Sequence, residues 1–181
     1  MWKALIFVSV IAFSNSDLIQ DILTTKNWLL AAIPTNDTDT QHWECPQTYN
    51  FKNGTTSCSC GGKIVPHIEF NTKINTKVIS GKCPFIVVNT VGELQAAKSL
   101  RCDCSNDYNT TQSKVTALLM KLERDSILVV TCQFTPFDDT CMESLLSKSM
   151  LSQTKVQEVT SRVLGISKSW NVTCPQFITE V

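Results

Sequence analysis

The chain has little material for acid–base chemistry, with two histidines, His42 and His67, among its 181 residues. A hydrolase needs a nucleophile, a base and a group that orients the base. Neither histidine lies in a nucleophile elbow or an H-E-x-x-H helix. Of the carboxylate neighbours, Glu123 with Asp125 and Asp138 with Asp139, the second reads as negative charge at a helix start. Glycine is scarce too, at 6 residues, and Gly61-Gly62 reads as a turn, so no phosphate-cradling loop is present. Charge of neither sign prevails: 16 Lys and Arg face 16 Asp and Glu. Nucleic-acid binders need clustered surplus cations to displace counterions, and that class is excluded. Long apolar runs are also missing. The longest is the stretch Ala4–Phe13, about half of the roughly 20 residues a membrane span requires. The expectation is therefore no enzyme, no cofactor, no resident metal, no nucleic-acid partner and no membrane span in this chain.

The same stretch has another use. Met1-Trp2-Lys3 supplies a short positive n-region, Ala4–Phe13 an apolar h-region, and Ser14-Asn15-Ser16 small residues for cleavage. That is the layout of a secretory signal peptide over residues 1–16. Four N-x-Ser/Thr sequons, at Asn36, Asn53, Asn109 and Asn171, agree with a secretory route, and each sits in a polar stretch that reads as loop. Glycans there would forbid those patches as binding faces.

Cysteine is the one chemistry-bearing residue in excess. The 9 are Cys45, Cys58, Cys60, Cys83, Cys102, Cys104, Cys132, Cys141 and Cys174, a usage that belongs with an oxidising compartment. Two Cys-x-Cys pairs stand out, Cys58-Ser59-Cys60 and Cys102-Asp103-Cys104. Closure between residues i and i+2 is strained, so each member is expected to bond elsewhere and each pair to join two other parts of the chain. A zinc site would prefer C-x₂₋₄-C knuckles, and neither pair has that spacing. An odd count leaves one thiol over, buried and free or available for a covalent dimer.

Periodicity gives an α+β expectation, a small disulfide-rich domain with short strands in the middle and helices towards the C-terminus. Asp17–Ile33 reads as a helix with Leu18, Ile22 and Leu29 on one face, and residues 17–63 as a loop-rich, cysteine-containing arm on a domain spanning 64–181. Ile68, Phe70, Thr72, Ile74, Thr76 and Val78 alternate as in a half-buried strand or hairpin. Ser80-Gly81-Lys82 reads as a turn and Pro84–Val88 as a short buried strand. Val91, Leu94, Ala97 and Leu100 suggest a short helix; Val115, Leu118, Leu119 and Leu122 suggest an amphipathic one. Ser126–Phe134 reads as a central strand, and capping boxes at Thr140/Glu143 and Thr154/Gln157 start two further helices. The last carries Val156, Val159, Val163 and Ile166 on one side, with Trp170 continuing the stripe.

Two segments resemble the N-terminal extracellular region of adhesion G-protein-coupled receptors. Trp43-Glu44-Cys45 followed by Lys52–Gly61 is similar to the truncated EGF-like start of such ectodomains. Leu151–Gly165 is similar to the L-T-x-x-x-V-x-x-V-T-x-x-V helix near the start of their autoproteolysis-inducing domain. The family's His-Leu-Ser/Thr cleavage site and membrane spans are absent from this sequence, so the resemblance implies a short ectodomain-like form or a soluble fragment of a receptor, without signalling machinery of its own. The expected function is that of a secreted, glycosylated module that binds another extracellular protein. A soluble ligand acting as a disulfide-linked dimer is the alternative, and an extracellular enzyme or inhibitor the third.

Overall fold

Apolar side chains that must be covered on both faces set this architecture. The computed structural model describes residues 15–35, 45–74, 77–104, 114–164 and 169–174. Along the chain run α1 (Asn15–Thr24), β1 (Trp28–Pro34), β2 (Thr48–Cys60), β3 (Lys63–Ile74), β4 (Lys77–Val88) and α2 (Val91–Ala97). They are followed by β5 (Cys102–Asp103), β6 (Val115–Glu123), β7 (Ser126–Phe134), β8 (Asp139–Ser147), α3 (Gln153–Leu164) and β9 (Trp170–Val172). The strands form one 9-stranded sheet in the order β5-β2-β3-β4-β6-β7-β8-β1-β9. A further pairing, Trp28↔Tyr49 and Leu29↔Thr48, joins β1 to β2. With it β1, β2, β3, β4, β6, β7 and β8 close into a ring, leaving β5 and β9 as appended edges. The expected α+β domain with C-terminal helices is thus corrected: the molecule is sheet-dominated, with three short helices among the described residues.

The errors share one cause. Val115, Leu118, Leu119 and Leu122 have helical spacing, yet Thr116 to Met120 are all buried and lie in β6. Ala117 and Leu119 join an inner cluster to which every ring strand contributes, whereas Leu118 and Met120 join an outer one. A strand covered on both faces shows an unbroken apolar run, which periodicity cannot tell from a helix. The same holds for Trp28–Ile33, which the sequence reading appended to a helix from Asp17. Helix α1 stops at Thr24, and Trp28 Nε1 donates to the Ile22 carbonyl across the bend at 3.2 Å. Within residues 17–63, expected as an arm, the described residues supply most of α1 and all of β1 and β2 to the ring and its core. The Thr140/Glu143 box lies in β8, where buried Glu143 meets the Lys98 ammonium at 3.1 Å. Asp139, read as charge at that helix start, is in β8 and pairs with Arg101 at 3.3 Å. Trp170 leaves the helical stripe for β9, pairing with Pro34.

Other expectations match. Strand β7 spans Ser126–Phe134 as read. Helix α2 begins at Thr90, whose hydroxyl accepts from Glu93 N while Glu93 Oε2 accepts from Asn89 N, a reciprocal cap. Helix α3 covers the last helical reading, but it starts at Gln153 with Ser152 Oγ accepting from Lys155 N, in place of the expected box at Thr154 and Gln157; the side chains of Val163 and Ile166 lie outside the described residues. The alternating stretch is a hairpin, β3 against β4 from Ile74↔Lys77 to His67↔Pro84. Ser80-Gly81-Lys82 is no turn but part of β4. Phe70 is the direct partner of Gly81, and its ring occupies the space where a Cβ at Gly81 would stand.

Helices α2 and α3 cover the outer apolar layer. Leu94 and Ala97 of α2 and Val156 of α3 pack there with Leu118, Leu128 and Trp170. The inner layer takes Leu18 and Ile22 from α1, which plugs the ring. Lys148, just after β8, fastens that end by bonding Asp21 at 2.7 Å and lying 5.6 Å above the Trp28 ring centroid.

Candidate functional site

A fork in the sheet creates a concavity among the described residues. Beyond His67↔Pro84 the ladder between β3 and β4 ends: Lys63–Pro66 continue on β2 alone, and Phe85–Val88 pair in parallel with Ala117–Met120 of β6. Proline donates no N–H and interrupts a ladder, and the fork has one on each arm, Pro66 and Pro84. The parallel pairing needs a crossover, and α2 with β5 lies in it. Between the arms opens a cleft of about 450 Å³. Ile64, Val65 and Pro66 form one wall, Phe85 to Val88 the other, and Ala96, Ala97 and Leu100 from the α2 region close a third side. Ile19 of α1 reaches it from the plugged interior, and Lys63 and Glu93 are its charged members. Ile64 is 74% exposed at the lip.

Disulfides hold the hairpin arm that makes the first wall. Cys58 bonds Cys104 and Cys60 bonds Cys102, so the two Cys-x-Cys pairs zip to one another and staple β5 onto β2. Each member does bond elsewhere, as its spacing required. Instead of joining two other parts of the chain, each pair finds a single partner segment, because antiparallel register sets i, i+2 opposite j, j−2. Cys45–Cys174 spans 129 positions and Cys132–Cys141 spans 9. The odd thiol is Cys83, which is buried at 1% exposure in the inner core, and desolvation pushes its pKa up to about 12. A covalent dimer through it would require the thiol to leave the core.

His67, weighed in the sequence for catalysis, is 4% exposed beside this staple. Its Nδ1 lies 2.6 Å from Thr56 Oγ1 and its Nε2 2.9 Å from Cys58 Sγ. A bulge makes the contact. The β2–β3 register slips between Asn53 and Ser57, and Gly54 passes so close that a Cβ there would lie 2.5 Å from the His67 carbonyl oxygen. The extra residues swing Thr56 onto the imidazole. Cys58, His67 and Cys104 present sulfur and nitrogen atoms all within 4.8 Å of one another. The sequence marks His67 and the cysteines but gives Gly54 and Thr56 no role at a site, and it places Pro84 at the start of a strand without the fork that Pro66 and Pro84 flank; two prolines beside apolar runs are the signal for it.

Other expected residues scatter. His42, Asn36 and Asn109 lie outside the described residues, as do residues 1–14 of the expected signal peptide 1–16, whose last two, Asn15 and Ser16, open α1. Asn53 and Asn171 are exposed, and both lie in strands, β2 and β9, rather than loops. Glu123 pairs with Lys155, and Asp125 with Lys148. These carboxylates therefore belong to surface ion pairs. No helix among the described residues is long and apolar enough to cross a membrane. Compared with models of known protein families the chain matches none, and no curated protein matches its sequence.

Proposed function

We propose that this chain is a secreted, glycosylated binding module that takes an apolar, extended segment of another extracellular protein into the cleft between β3 and β4. The observation that carries the reading is the fork. Lys63–Pro66 and Phe85–Val88 each face the cleft with a strand side that has no ladder partner there. Such an edge recognises extended backbone by strand addition, with apolar pockets selecting alternate side chains. Ile64 supplies an exposed anchor at the lip. The Cys58–Cys104 and Cys60–Cys102 bridges brace the first wall in advance, which lowers the entropy lost on binding. The adhesion-receptor resemblance belongs to the same proposal: Leu151–Gly165 contains α3, and Lys52–Gly61 runs along β2 and its turn.

A small apolar molecule is the second reading, favoured by the continuity of the cleft with the ring interior through Phe85 and Ile19. Closed barrels of similar strand number hold one such ligand. The dimeric-ligand alternative loses its support with Cys83 buried.

The test uses chain recovered from the medium of secreting cells, immobilised and panned against a library of displayed peptides. Enriched peptides are expected to be extended and apolar, and to bind at least about tenfold more weakly to Ile64→Asp and Leu100→Asp, since each change puts an unpaired charge against an apolar wall. Binders indifferent to both substitutions would sink the cleft reading. Failure of peptides together with saturable uptake of a fluorescent fatty acid would transfer it to the small-molecule reading.

A further inference from the structure

We infer that the Cys58–Cys104 bridge masks a metal site: once it is reduced, Cys58, Cys104 and His67 bind a zinc-class divalent cation. Three observations converge. The three ligand atoms lie within 4.8 Å of one another, while tetrahedral zinc with Zn–S near 2.3 Å and Zn–N near 2.0 Å needs ligands about 3.4–3.8 Å apart. All three residues are buried, at 2%, 4% and 3% exposure for Cys58, His67 and Cys104, so a cation there would be largely shielded from water. Thr56 gives the imidazole the outer hydrogen bond that metal-bound histidines use to fix tautomer and orientation.

The chemistry balances. Two equivalents of a low-molecular-mass thiol deliver two electrons and two protons, converting the bridge into two thiols and leaving the reductant as its own disulfide. Binding of the cation releases both thiol protons, and the sulfurs ligate as thiolates. The histidine changes tautomer with the switch. A bridged sulfur carries no hydrogen, so in the oxidised state Nε2–H donates to Cys58 Sγ and the Thr56 hydroxyl donates to Nδ1. In the metal-bound state the Nε2 lone pair goes to the cation and Nδ1–H donates to Thr56 Oγ1. The ladder between β2 and β3, whose pairs Asn53↔Ile68 and Ser57↔Pro66 flank the site, keeps His67 beside Cys58 when the bridge opens. The metal site does not rest on what occupies the cleft, although the bridge opened to form it braces the first wall together with Cys60–Cys102.

Cobalt(II) is the probe, because thiolate ligation gives it charge-transfer bands in the near ultraviolet. The full chain, reduced with a phosphine and titrated with cobalt, is expected to develop these bands with one ion per chain, and the oxidised chain none. Cys60→Ser with Cys102→Ser keeps them, whereas Cys58→Ser with Cys104→Ser abolishes them. His67→Ala weakens binding at least about tenfold, and Thr56→Val, which keeps all three ligands, about tenfold. Circular dichroism of each reduced variant reports whether the strands persist. Absence of bands in the reduced chain, whether it stays folded or unfolds, overturns the inference. So does retention of full affinity in His67→Ala, or dependence on Cys60 and Cys102.

Discussion

Cys83 shows how burial decides the character of a single group. Its thiol lies in the inner apolar layer with Phe85 and Ile68, and desolvation raises its pKa from 9.0 to about 12. Tyr49 is raised from 10.0, chiefly by desolvation. Both groups hold their protons more tightly folded than unfolded. Their contribution to stability is therefore complete below pH 9.0 and is lost as pH climbs from there towards about 12, where the unfolded chain alone is ionised. Urea midpoints measured across this range should fall with pH, and Cys83→Ala should flatten the decline. Native chain should resist alkylation at Cys83, then take up one adduct when unfolded without reductant. A midpoint that rises with pH would contradict this account. His67 is the converse residue, legible in the sequence as a rare type yet placed by a bulge that only the folded ladder defines.

At the scale of elements, β3 and β4 depend on the pair Phe70↔Gly81. The aromatic ring lies over the backbone at the position a side chain would otherwise claim. Gly81→Val should cost about 1–3 kcal/mol, the usual range for overpacking. Combining it with Phe70→Ala should cost less than the sum of the two single changes, because the clash disappears with the ring. Denaturant midpoints of the four proteins form the cycle; strict additivity would refute the packing argument. Helix α2 was readable from the spacing of Val91, Leu94, Ala97 and Leu100, and the structure adds a local cap at Thr90 and Glu93 that the spacing did not announce. The box at Thr140 and Glu143 has the same letters, but β8 is enclosed by β7 and β1, and the ladder with the Lys98 ion pair outweighs a cap worth about 1 kcal/mol.

The whole molecule is closed by contacts distant in sequence. Strand β1 meets β2, β8 and β9, and Cys45–Cys174 ties the segment before β2 to the residues after β9. Thr173 Oγ1 adds a bond of 2.6 Å to the Leu30 carbonyl at the same seam. Replacing Cys45 and Cys174 by alanine should cost about 2–5 kcal/mol, because the bridge spans 129 positions and restricts the unfolded chain strongly. Calorimetry should then show a lower melting temperature than the corresponding change at Cys132 and Cys141, which span 9. Equal losses would mean that loop closure is not what the bridge contributes.

By itself the sequence determined what local chemistry can specify: an abundance of cysteine that demands cross-links, the short helix of Val91, Leu94 and Ala97, and the strand Ser126–Phe134. Tertiary structure alone decided which apolar runs became strands, since a segment covered on both faces carries no period of its own. It also decided which sulfurs met, where the sheet forks at two prolines, and that Thr56 and Cys58 face His67, because these juxtapositions arise from register between strands and not from neighbours along the chain.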